Sequence, residues 1–173
     1  MAWLLKNSAK DRMMKKNSLL WRITAPGSGD ASYLFGTMHV RDLRAFGWLK
    51  LATEKMAERA CFATEFDFSE ADPVALSQAL ALPAVKSLRD FLSRGAWKRL
   101  DYYAQKKLGT TAESLQYQHP MSVSTMLSTA FMEEEMSHSL DETLWHQANA
   151  SGIPTTGVET FAEQIETLHR IPF

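Results

Sequence analysis

With one cysteine in 173 residues, the chain cannot form an internal disulfide. That cysteine, Cys61, lies between Ala60 and Phe62 and reads as a buried strand residue rather than a nucleophile. No run of about 18 apolar residues occurs, which excludes a membrane-spanning helix. Nineteen basic residues stand against 20 acidic ones, a formal charge of -1, and no long block of one sign breaks the balance. Nucleic acid and anionic membrane therefore have no general electrostatic hold on the chain. Internal repeats and low-complexity segments are also missing. What remains, 45% hydrophobic and 23% charged residues, suits one globular domain with a sizeable core.

The opening residues Met1 to Leu5 are mainly apolar, and the cations Lys6, Lys10, Arg12, Lys15 and Lys16 come after them. That order is the reverse of a secretory signal, and it favours a cytoplasmic chain. Residues 1–16 read as a flexible extension and 17–173 as the domain.

Two apolar runs, Leu19–Thr24 and Ser32–Phe35, flank a segment of turn residues from Ala25 to Asp30, which predicts an antiparallel hairpin. Phe46, Leu49, Ala52, Met56 and Ala60 recur at helical spacing, so an amphipathic helix is expected over 44–60. Residues 61–68 read as a strand whose alternation sends Glu65 and Asp67 off one face. A right-handed crossover would place that strand parallel to 32–37. From Ser69 to about Ser139 the pattern is helical: Asp72-Pro73 opens one helix, Gly109 stops another, and His119-Pro120 opens a third. Met121, Met126, Leu127, Phe131, Met132 and Met136 then give a methionine-rich stripe, read as core or a helix contact, or as a peptide-binding groove. Glu133–Glu135 read as a solvated face. A helix over 140–148, a short strand over 155–159 and a helix over 160–169 complete the order.

The chemistry-bearing stretch is Gly36-Thr37-Met38-His39, where a buried strand runs into a glycine and then a histidine. Carboxyl ends of strands are where open α/β sheets bind ligands and metals, and a glycine there admits close approach to the backbone. Parallel pairing would bring Glu65 or Asp67 toward His39, a set suited to a divalent metal or to acid/base work. His119, His138, His146 and His169 all fall in helical segments and read as exposed or capping residues.

Five ordered motifs, LLWRI, SYLFGTMHV, ATEFDF, a helical insert opening with HP, and LDETLWHQANASGIPTTGVETFAEQ, resemble the TraB/GumN family, related to Tiki proteases and to erythromycin-esterase-like and ChaN-like proteins. The resemblance covers residues 18–173. It implies an α/β fold with a mostly parallel sheet, here an amino-terminal hairpin plus a large helical insert, as half of such a fold. Tiki members are metal-dependent proteases with two G-x-x-H motifs and an intervening glutamate, and bacterial TraB relatives are associated with limiting peptide pheromone signalling. By position, Gly36 and His39 match the first G-x-x-H and Glu65 the acidic position. Gly157, Glu159 and Gln164 match a Gly-x-Glu-Thr-x-x-x-Gln segment that lines the cleft.

On this reading His39 and Glu65 are catalytic and hold a divalent ion, zinc, manganese or cobalt, while Gly36, Asp67 and Glu159 line the cleft. The implied function is a metal-dependent, peptidase-like hydrolase; the alternative is a non-catalytic module that binds peptide or inhibits a signal. No other glycine in the chain has a histidine three residues on, so the second motif is absent. The chain is then an amino-terminal portion, or a second copy completes the site in a homo-oligomer, or catalysis has been lost. Relatives in this family are often exported.

Overall fold

The structure, a computed structural model, describes residues 18–27 and 29–171. The expected extension over 1–16 lies outside the described residues. The hairpin forms as read: β1 (Leu20–Thr24) pairs antiparallel with β2 (Ala31–Phe35), with Leu20 opposite Phe35 and Thr24 opposite Ala31. Alternation divides its two faces. Leu20, Tyr33 and Phe35 are half-buried on one, whereas Trp21, Ile23 and Leu34 stand exposed on the other.

After a 3₁₀ segment over Leu43–Trp48, helix α1 (Leu49–Ala57) leads to β3 (Phe62–Thr64). Here the structure departs from the expected crossover. β3 does not lie beside β2; it pairs in parallel with β4 (Thr155–Gly157), Phe62 opposite Thr155 and Thr64 opposite Gly157. Hydrogen bonds extend that edge at both ends, from Phe62 N–H to the Pro154 carbonyl (2.9 Å) and from Glu159 N–H to the Glu65 carbonyl (2.9 Å). Among the described residues the strands thus form two separate two-stranded sheets, one antiparallel and one parallel, in a mixed helix and sheet fold.

The strand expected over 61–68 is also shorter. Asp67 ends it by accepting Ser69 N–H (2.9 Å) and its hydroxyl (2.7 Å), which caps a 3₁₀ turn over Phe68–Glu70. Phe66 and Phe68 then turn into an aromatic group, with ring centroids 5.2 Å from Phe161 and 6.0 Å from Trp145 respectively. Cys61 precedes β3 and is exposed, correcting its reading as a buried residue.

The insert holds α2 (Pro73–Ala79), α3 (Arg94–Tyr103) and α4 (Pro120–Thr129). Asp72 caps α2 with proline behind it, and His119 caps α4 by accepting Met121 N–H on Nδ1 (3.2 Å). Gly109, at φ 64°, closes the turn that continues α3. The insert packs on its own core, built around Leu82, Leu88, Leu100, Ala104, Leu115 and Val123.

A second core lies between α1 and α5 (Leu140–Ala150), where Phe46, Ala52 and Met56 meet Leu140, Leu144 and Ala148. Thr53 adds a hydrogen bond across the pair, its hydroxyl donating to Gln147 Oε1 (2.7 Å). Helix α6 (Phe161–Arg170) follows β4, started by a reciprocal cap between Thr160 and Glu163. No helix among the described residues is long and apolar enough to cross a membrane.

The methionine stripe does not run along one helix. α4 stops at Thr129, and the chain beyond it docks on the segment after His39: Met136 N–H donates to the Arg41 carbonyl (2.9 Å) and Glu133 N–H to Asp42 Oδ2 (3.3 Å). The three glutamates serve that docking. Glu135 accepts Leu43 N–H (3.1 Å) and Glu134 pairs with Arg41, while all three stay exposed.

Candidate functional site

His39 lies four residues past the end of β2, on a segment fixed by the Asp42 contacts just described. Its Nδ1 donates to Asp141 Oδ2 at 2.8 Å, and its Nε2 stands 3.9 Å from Glu65 Oε2. Asp141 occupies the first turn of α5 beside Leu140, and packing of Leu140, Leu144 and Ala148 draws it under cover with them. Its side chain is 11% exposed, against 58% for His39 and 67% for Glu65. The imidazole is therefore anchored on its inner side and open on its outer side.

The electrostatics follow from that arrangement. The hydrogen bond to Asp141 raises the His39 pKa above its ordinary value; partial burial opposes this, and the negative charges of Asp141 and Glu65 add to it. For Asp141, burial pushes upward, but the His39 hydrogen bond and charge, with the Ser139 hydroxyl, bring the net shift down. A carboxylate that accepts the Nδ1–H hydrogen bond leaves the Nε2 lone pair facing Glu65 when the ring is neutral. Carboxylate-oriented imidazoles of this kind are the usual support for a metal-ligating histidine.

Glu65 is held from the far side by Gln164 on α6, whose amide donates to Glu65 Oε2 (3.3 Å) and to Glu159 Oε1 (2.7 Å). Gly157 makes this closeness possible. A Cβ there would stand 2.4 Å from the Glu159 carbonyl oxygen, 2.8 Å from Asp67 N and 2.9 Å from Phe66 Cα, all backbone atoms. At Gly36 the nearest described atom would be the Leu19 carbonyl oxygen at 4.0 Å, so packing within the chain does not demand glycine at that position.

The expected residues thus divide. His39, Glu65 and, through Gln164, Glu159 come together; Asp67 is engaged as a turn cap, and Gly36 ends the hairpin with its N–H donated to Leu19 (2.9 Å). Sequence reasoning missed Asp141. Its only signal was an acid beside the apolar residues 140, 144 and 148 in the first turn of a helix, where carboxylates are common.

It also missed a second group. His138, Glu142 and His146 offer ligand atoms within 4.8 Å of one another on the exposed side of α5, although each histidine alone read as a surface residue. His138 Nδ1 lies 2.9 Å and His146 Nε2 4.0 Å from Glu142 Oε1.

The chain is similar to Metalloprotease TIKI2 of Danio rerio, with 26% identity over 185 aligned positions that cover 91% of this chain and 36% of the relative. It spans about a third of that curated relative's length. No solved structure matches. A sequence profile described as the TraB/PrgY/gumN family matches residues 19–173, and the chain belongs to that family.

Proposed function

We propose that the chain carries the His39 side of a hydrolytic centre, in a metal-dependent hydrolase that acts on peptides. The supporting observation is the line Asp141–His39–Glu65, in which a buried carboxylate orients an imidazole whose free nitrogen faces a second, exposed carboxylate. Its donor set, one nitrogen and one carboxylate oxygen, fits zinc, manganese or cobalt. A bound ion would supply Lewis acidity and a water of lowered pKa. The residues themselves divide the work: Asp141 keeps His39 in one orientation, Gln164 steadies Glu65, and Glu65 is available as a ligand or as the base that takes a proton from water. Membership of the TraB/PrgY/gumN family and similarity to a protein named as a metalloprotease agree with this class of reaction.

Two protein donors make an incomplete shell, since catalytic zinc commonly has three. Binding through His39 and Glu65 alone is therefore expected to be weak, with further ligands from another chain, such as a second copy, strengthening it. The test is calorimetric titration of the full chain with zinc, manganese and cobalt, repeated on His39→Ala and Glu65→Ala. A weak component of the heat that disappears in both variants supports the reading, and isotherms in which every component is unchanged in both variants overturn it. A second reading, capture of peptide without catalysis, is favoured by one feature of the insert. Met126 and Phe131 are exposed at the end of α4, with Tyr103 in ring contact with Phe131 at 5.9 Å. Metal-independent peptide affinity that survives His39→Ala would select it.

A further inference from the structure

We propose that His138, Glu142 and His146 form a second divalent-cation site, separate from His39 and selective for a zinc-class ion over magnesium or calcium. Glu142 and His146 stand one turn apart on α5 and so share one side of it. His138 lies just before the Ser139 cap, outside the helix proper, and its Nδ1 reaches Glu142 Oε1 at 2.9 Å. Two atoms bound to one zinc at about 2.1 Å and at a tetrahedral angle are about 3.4 Å apart. The separations from Glu142 Oε1, 2.9 and 4.0 Å, bracket that value, and all three ligand atoms lie within 4.8 Å of one another, so side-chain rotation is enough to close the set.

The ligands are partly ordered beforehand. The His146 ring contacts that of His138, at 4.7 Å, and that of Trp145, at 5.0 Å, and Trp145 is itself packed edge-on to Phe68. This limits the rotamers open to His146 and lowers the entropy lost on coordination. Access is open, since His138 and His146 border a shallow depression with Thr143, Gln147 and Ala150. Two imidazoles and one carboxylate favour zinc, nickel or copper over hard cations, which prefer oxygen shells. Three protein ligands leave a position for water or for a donor from another molecule.

The site depends on none of the residues assigned to hydrolysis, so the two are tested apart. Zinc alone is titrated into the full chain, followed by calorimetry and by displacement of a chromophoric chelator. The variants are His138→Gln, Glu142→Gln and His146→Gln, with His39→Ala as comparison and circular dichroism checking that each is folded. The expected result is one tighter equivalent of zinc, distinct from the weak binding at His39, whose affinity falls at least about tenfold in the His146 and Glu142 variants and is unchanged by His39→Ala, with no uptake of magnesium. Zinc binding that is absent from the chain, unaffected by His146→Gln, or abolished by His39→Ala would overturn the proposal.

Discussion

Replacing Gly157 with alanine tests how tightly the segments bearing Glu65 and Glu159 are joined. The added methyl carbon would meet three backbone atoms at 2.4, 2.8 and 2.9 Å, and the helix and turn on either side leave no flexible side chain to swing aside. Relief requires parting β4 from the 65–67 turn, which also loosens the Glu159 N–H to Glu65 carbonyl bond. Overpacking that strains backbone rather than rotamers belongs at the upper end of its usual cost, about 3 kcal/mol. For a domain of this size that corresponds to a fall in Tm of roughly 6–12 °C. The comparison is Gly36→Ala, where the nearest atom is 4.0 Å away and φ is not in the left-handed region. That variant should lie within about 0.5 kcal/mol of the parent, or gain slightly from a less flexible unfolded chain. Urea unfolding followed by circular dichroism measures both. Equal stabilities for the two variants would refute the argument that Gly157, and not Gly36, is the glycine the fold requires.

Asp141→Asn should lower the His39 pKa toward its ordinary value, because the hydrogen bond to the carboxylate is the largest cause of its rise; NMR titration of the imidazole checks this, and an unchanged midpoint would count against the pairing. Stability should depend on pH through the same pair. The raised His39 contributes fully below its unfolded value of 6.5 and is lost as pH climbs through its higher folded value, whereas the lowered Asp141 contributes above 3.8 and is lost as pH falls through its lower folded value. The gap between the parent and His39→Ala, on the order of 1 kcal/mol or less for a half-exposed pair, should therefore be widest between 3.8 and 6.5 and shrink on the alkaline side. Asp42→Ala removes the cap on the Leu43–Trp48 turn and the acceptor for Glu133 N–H, and should cost about 1–2 kcal/mol in urea unfolding. Glu134→Ala, an exposed ion pair on the same loop, should stay within about 0.5 kcal/mol of the parent.

What was legible in the sequence was local. Turn residues between two apolar runs announced the hairpin, and Asp72-Pro73, His119-Pro120 and Gly109 marked helix ends where the structure has them. These signals act within a few residues and need no tertiary partner. Strand pairing does need one. Phe62–Thr64 could satisfy its backbone against β2 or β4, and alternation along the strand is blind to that choice. Likewise, the pattern read as helical to about Ser139 because periodicity does not register the contacts of 133–136 with Arg41, Asp42 and Leu43 that draw the chain off the helical path.

The candidate site divides along the same line. His39 and Glu65 were legible because each follows a strand, and the structure brings them within 3.9 Å even though their strands belong to different sheets. Their approach therefore comes from the helices and turns between the sheets. α5 supplies it: its apolar stripe docks on α1, and that docking carries Asp141 to the inner nitrogen of His39. α5 also brings Glu142 into line with two histidines that, taken singly, had no partner in the pattern. One helix thus sets the orientation of His39 on its covered side and gathers His138, Glu142 and His146 near its open side. A change that shifts α5 along its axis, such as loss of Leu144 from the core, should disturb both, whereas a change at Glu65 should disturb only the first.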